Sequence, residues 1–280
     1  MKKRIITAEL LQNFKEMLVN EERSSNTIEK YLRDIRRFAD FMNGMIIDKS
    51  LVLEYKAYLE NSFALTSANS MIAALNTFLK FVGWTDMCIK QFKVQRKTYC
   101  SEERELTKQE YIALVRAAEH KKNERLSLLI QTICGTGIRV SELEFITVEA
   151  INCGEAIVSC KGKSRKVFIV KDLCKKLQKY AKELNITSGA IFITKTSKPM
   201  NRSNIWREMK ALCEQAGVNP NKVFPHNLRH LFARTFYRIE KDIAKLADIL
   251  GHESINTTRI YIISSGAEHK RKMENMRLII

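Results

Sequence analysis

Apolar residues recur at helical spacing along most of this chain, and two-residue alternation is confined to one short stretch. That pattern excludes a sandwich or barrel, and a doubly wound parallel sheet, because each needs many strands. In ITAELLQNFKEMLV, Leu10, Leu11, Phe14 and Leu18 form one stripe, and TIEKYLRDIRRFADFM repeats it with Ile28, Tyr31, Leu32, Ile35 and Phe38. Gly44 is expected to end that second helix, and SLVLEYKAYLE and TSANSMIAALNTFLKFVG read as two more. Four helices with short connections predict a compact helical domain over residues 1–95.

Residues 96–104 are polar and aperiodic and read as a linker. A second domain is expected over 105–280, its first helix opened by a capping box from Thr107 to Glu110. LSLLIQTIC, residues 126–134, is apolar on nearly every side and is expected in the core. AIVSCK (156–161) and RKVFIV (165–170) flank a Gly-Lys-Ser turn and predict a β-hairpin, with AIFIT (190–194) as a third strand or an extended segment. Beyond Asn201 the pattern is helical again. The predicted fold class is therefore mainly α with a small β-hairpin, an α+β protein of two domains.

Charge narrows the partner. The chain carries 48 Lys and Arg against 31 Asp and Glu, a formal charge of +17. Residues 1–102 hold 16 basic and 12 acidic side chains, and the remainder hold 32 and 19, so the excess lies in the second domain. Such a balance favours a polyanion, since each neutralised phosphate releases counterions. Arg33, Arg36 and Arg37 suit either phosphate contact or a solvated face. Seven cysteines without a CxxC pair argue against a zinc ribbon or a disulfide framework. With no apolar run near the ~18 residues of a membrane span, the expectation is a soluble, cytoplasmic protein without cofactor or metal.

Three segments carry candidate chemistry. In GTGIRVSEL (135–143), Gly135 and Gly137 are expected to bracket a turn, placing Arg139 in the first turn of a helix where an anion is favoured. Glu142, three residues on, is placed to orient its guanidinium; a plain surface ion pair would be spelled the same way. In PHNLRH (225–230), Pro225 suits a helix start, and His226 and Arg229 project from one face, as a phosphate site requires. His226 and His230 are spaced like zinc ligands, but no HExxH pattern supports that, and His230 reads as a packed, hydrogen-bonded side chain. In LGHESINTTRIYI (250–262), Gly251 stops a helix and fixes His252. A short helix is then expected with Asn256 as N-cap and Ile255 and Ile260 as a hydrophobic staple, and it carries Tyr261.

GTGIRVSEL, a lysine in a hairpin, HNLRH, LGH and a tyrosine, in that order, resemble the tyrosine recombinase (phage integrase) family, in particular its Xer-like members and the integrases of mobile elements. The resemblance covers the second domain, and SSNTIEKYLRDIRRFADF resembles the family's helical core-binding domain. It implies that Tyr261 becomes covalently joined to a DNA phosphate, that Arg139 and Arg229 clamp the non-bridging oxygens, and that His226 assists proton movement. It further implies that His252 hydrogen-bonds the phosphate and that Lys161 protonates the departing 5′ oxygen, with Lys163 as the rival for that role. Glu142 matches the acidic residue after the first arginine. The implied partners are double-stranded DNA and three further copies of the chain, in a homotetramer on paired sites. The implied role is integration or excision of a mobile element, with Xer-like dimer resolution or DNA inversion as the alternative. No arm-binding domain is expected before the first helical unit, and the tail after Ser265 is expected to pack on a neighbouring protomer. A type IB topoisomerase, a non-catalytic DNA-binding regulator and a basic RNA-binding protein are the competing classes. Against them stand the two-domain layout, the full motif set and the lack of RRM-like aromatics, respectively.

Overall fold

The structure, a computed structural model, describes residues 4–94, 104–160, 163–194, 196, 198–262 and 274–276. The expected linker apart from Arg104, Lys161 and nearly all of the tail after Ser265 lie outside these residues. So does the side chain of Lys163. The chain divides into two compact units, Met1–Arg96 and Lys97–Ile280.

The first unit consists of α1 (Ala8–Asn20), α2 (Ser25–Met42), α3 (Lys49–Ser62) and α4 (Leu65–Phe81), followed by a single 3-10 turn at Thr85–Met87. Thr7, Ser24 and Asp48 start the first three helices, each accepting a hydrogen bond from a backbone N–H in the first turn. The second helix ends at Asn43, in the left-handed region one residue before Gly44. The expected stripes are the core: Phe14, Leu18, Ile35 and Phe38 are fully buried, joined by Tyr55, Leu59, Ile72 and Phe78. Phe14 meets Phe78 edge to face at 5.2 Å.

The second unit is built around α6 (Glu124–Thr136), which packs on α5 (Lys108–His120), α8 (Lys171–Glu183) and α11 (Pro225–Glu240). α6 is buried on several faces, and its Thr132 and Thr136 hydroxyls donate to carbonyls one turn back instead of remaining unpaired. The Thr107–Glu110 capping box is present at the start of α5. After α6 come a 3-10 helix at Val140–Phe145, α7 (Val148–Cys153) and an antiparallel hairpin of β1 (Glu155–Cys160) and β2 (Lys163–Phe168). Ala156, Val158 and Val167 turn inward, whereas Ile157 and Phe168 face out. Residues 190–194 make only two isolated bridges, Thr147 to Ala190 and Ile193 to Pro199, so the possible third strand is not formed. α9 (Arg202–Lys210) and α10 (Cys213–Ala216) lead into α11, and α12 (Ile243–Leu250) and α13 (Ile255–Ile262) follow it. The mainly helical class with one small hairpin is thus the one observed. No helix among the described residues is long and apolar enough to cross a membrane.

Candidate active site

The expected helix start around Arg139 differs from what forms. α6 runs through Gly135 to Thr136, and only Gly137 breaks it, at φ +66°. A Cβ there would lie 2.4 Å from Phe232 Cδ1, so both the backbone angle and the close approach of α11 demand glycine. Arg139 is then the N-cap of the 3-10 helix rather than a first-turn residue. Glu142 closes the cap: its carboxylate accepts from the Arg139 backbone N–H at 2.8 Å and from Arg139 Nη1 at 2.7 Å. The expected Arg139–Glu142 pairing is present, but it is buried on the glutamate side rather than a surface pair.

Glu142 has a second partner that the sequence did not reveal. Arg165, on β2, donates Nη1 and Nη2 to the two carboxylate oxygens at 3.0 and 2.8 Å. Burial by itself would raise this carboxyl; the Arg165 fork, then the Arg139 N–H and guanidinium, overcome it and hold the pKa at about 2. The available signal was modest: Arg165 lies directly across the hairpin from buried Val158, an inward position where an arginine needs a partner.

α12 supplies the common anchor. Its last carbonyls carry the partial negative charge of a helix C-terminus. Arg165 Nε donates to Ile249 O at 3.3 Å, Arg229 Nη2 to Leu250 O at 2.7 Å, and Arg139 Nη2 to Gly251 O at 3.3 Å. Gly251 itself sits at φ +64°, and a Cβ there would meet Arg165 Cδ at 2.6 Å. Arg229, only 1% exposed, also donates Nη1 to Gly137 O, at the end of α6, at 2.6 Å. Burial and then the neighbouring Arg139 lower its pKa to about 10, so it stays charged at neutral pH. Arg229 Nε is buried with no hydrogen-bond partner among the described residues.

His252 follows the α12 stop as expected, its N–H bonded back to Ala247 O at 2.9 Å. Its Nε2 lies 2.9 Å from Arg229 Nη2, and its Nδ1 lies 2.9 Å from the hydroxyl of Thr258, a fully buried residue. Burial first, then Arg229 and Arg139, push the His252 pKa down to about 4. Thr258 was not among the sequence candidates, although it precedes Tyr261 by three positions and so shares its helix face.

The helix carrying Tyr261 begins two residues earlier than expected. Ser254 Oγ accepts from the Asn256 N–H, so Asn256 is inside α13, and Ile255 and Ile260 are 48% and 59% exposed rather than stapled. A serine hydroxyl two residues ahead takes the role assigned to asparagine. Tyr261 turns inward and is 5% exposed. Its hydroxyl lies 3.5 Å from His226 Nε2. The His230 ring lies tilted against the Tyr261 ring, with centroids 4.2 Å apart, and meets His226 edge to face at 4.6 Å. Burial lowers the pKa of both histidines, that of His230 to about 4, with the arginines adding to the effect at His226. Pro225 at the helix start holds His226 in the first turn, and Asn227 ties that turn to the Arg104 and Lys222 carbonyls.

Arg139, Glu142, His226, Arg229, His252 and Tyr261 thus converge within one unit. A phenol, imidazoles and guanidiniums grouped at helix ends suit an anion that is attacked by oxygen and gains charge as it reacts. Comparison with known proteins agrees with that class. Residues 104–268 match the profile of the phage integrase family, and residues 11–85 match the phage integrase N-terminal SAM-like domain. The chain belongs to the phage integrase family, the tyrosine recombinases. It is 27% identical to tyrosine recombinase XerA of Pyrococcus furiosus over 289 residues, covering 100% of this chain and 98% of that one. It is also 27% identical to tyrosine recombinase XerC of Pediococcus pentosaceus, over 90% of this chain and 92% of that one. The crystal structure of XerA recombinase aligns over 97% of this chain and 99% of that chain, with a TM-score of 0.55 and 25% identity. A lambda integrase dimer bound to a COC′ core site shares the fold, with a TM-score of 0.71 and 18% identity over 91% of this chain and 95% of that chain.

Proposed function

We propose that this chain is a site-specific DNA recombinase that cuts and rejoins strands through a 3′-phosphotyrosyl intermediate and a Holliday junction. The observation that carries the reading is the position of the Tyr261 hydroxyl, 3.5 Å from His226 Nε2 on the helix that also carries Arg229. In this reading the Tyr261 oxygen attacks phosphorus and its proton passes to His226, which is neutral at pH 7. The bond to the 5′ oxygen breaks, and that oxygen takes a proton from Lys161 or Lys163. Arg139 and Arg229 meet the charge that grows on the non-bridging oxygens, and the buried, unpartnered Nε of Arg229 supports its assignment to an incoming acceptor. Removing either guanidinium should raise the barrier by roughly 3–4 kcal/mol, the scale of a lost oxyanion-hole donor. The phosphotyrosyl bond conserves the energy of the broken phosphodiester, so rejoining needs no ATP. With two guanidiniums at the phosphate and two neutral imidazoles beside them, we assign the cationic role to the arginines and not to a metal ion.

Double-stranded DNA is the proposed partner, with a homotetramer on paired sites. A lambda integrase tetramer bound to a Holliday junction is one of the structures sharing this fold, with a TM-score of 0.70. The end-to-end match with the Xer recombinases supports the Xer-like role, dimer resolution, over integration of a mobile element. A site recovered from random duplexes by selection, built into a nicked suicide substrate and incubated with EDTA, tests the chemistry. The wild-type protein should form a denaturant-resistant protein–DNA adduct and Tyr261→Phe should not. Adduct from the mutant, or none from wild type, refutes the assignment. Two copies of the site in direct repeat on one plasmid, against one copy on each of two plasmids, separate resolution from integration.

A further inference from the structure

Arginine has donors and no acceptor, so the 2.9 Å contact from Arg229 Nη2 requires a lone pair on His252 Nε2. His252 is neutral near pH 7, its ring half-buried among cationic neighbours. Its single ring proton therefore sits on Nδ1 and is donated to the Thr258 hydroxyl, 2.9 Å away. That is the wrong tautomer for the role the recombinase reading gives His252. An imidazole that donates to a phosphate through Nε2 must carry its proton there, and Nδ1 must then accept. A backbone carbonyl or a carboxylate at Nδ1 would lock the first tautomer, because neither can donate. A hydroxyl can do both.

We propose that Thr258 is the positioning residue that lets His252 exchange tautomers when a phosphate enters the site. In the free protein the Thr258 oxygen accepts from Nδ1–H, and Nε2 accepts from Arg229. As phosphate oxygens take the Arg229 donors, Nε2 gains a proton from water and Nδ1 releases one to water, so the ring stays neutral and protons balance. The Thr258 hydroxyl rotates and donates to Nδ1, and Nε2–H faces the phosphate. Full burial of Thr258 on α13 holds the hydroxyl at this one nitrogen. The second half of this cycle rests on the recombinase reading; the first half concerns the free protein alone.

Nitrogen-15 NMR of histidine-labelled protein distinguishes the two tautomers by their ring-proton couplings. Without DNA, His252 of the wild type should be the Nδ1–H form; an Nε2–H form overturns the proposal. Tyr261→Phe protein held on the selected suicide duplex should show Nε2–H, and persistence of Nδ1–H overturns it. Thr258→Val, which keeps shape and loses the hydroxyl, should slow single-turnover cleavage about tenfold, the scale of one hydrogen bond, with duplex affinity unchanged. Thr258→Ser should restore the rate. Equal cleavage by the valine variant, or no rescue by serine, counts against the proposal. If wild type forms no adduct at all, the recombinase reading fails, while the tautomer of the free protein remains a separate result.

Discussion

Glu142→Gln is the most informative perturbation of the second unit. The carboxylate is 2% exposed and accepts four hydrogen bonds, from the Arg139 N–H, Arg139 Nη1 and both terminal nitrogens of Arg165. Its pKa moves from an ordinary 4.5 to about 2. That depression corresponds to about 3 kcal/mol favouring the ionised folded form. Because the folded pKa is depressed, that stability is fully present above pH 4.5 and drains away as the pH falls towards 2. Glutamine keeps the shape but turns an amide N–H₂ against a guanidinium and leaves Arg165, 14% exposed, short of its counter-charge. Breaking a buried pair in this way costs about 3–5 kcal/mol. Urea unfolding at pH 7 should follow Trp206, in a Trp84→Phe background, so that only the second unit reports. We expect a loss of about 3 kcal/mol, shrinking between pH 4.5 and 2 as the wild type loses the same contribution. A loss under about 1 kcal/mol at pH 7, or a gap that does not narrow in acid, would refute the reasoning.

Three other outcomes follow from the same geometry. Arg165→Lys keeps the charge but loses the planar fork on Glu142 and the Nε bond to Ile249 O; cleavage of the suicide duplex should slow about tenfold, and an unchanged rate would remove Arg165 from the site's support. Gly137→Ala forces a side chain into φ +66° and against Phe232, and should cost about 2–4 kcal/mol of second-unit stability in the same urea assay. His226 is held below its ordinary pKa of 6.5 by burial and by Arg229. As a base it is active when neutral, so the acid limb of kcat/KM for cleavage should fall below pH 6.5; an inflection above that value would assign the proton to another group.

What the sequence determined by itself was whatever depends on spacing along one element. Leu10 to Leu18 and Ile28 to Phe38 repeat near 3.6 residues, which puts them on one face, and that face is the core of the first unit. The Thr107 capping box and the Gly251 stop were legible for the same reason, since each is closed by atoms a few residues apart. His226 and Arg229, one turn apart, and Tyr261 in a short helix were likewise readable as a set from the order of their motifs. Local reading weakened where neighbouring residues compete for one role, as when Ser254 rather than Asn256 caps α13. Only the tertiary structure decided which side chains meet. Arg139, Arg165 and Arg229 come from a 3-10 turn, a strand and a helix, and they share three successive carbonyls at the end of α12. Periodicity assigns a residue to a face, but a buried charge takes its partner from whatever the packed elements bring within 3 Å, and no spacing in the chain encodes that distance.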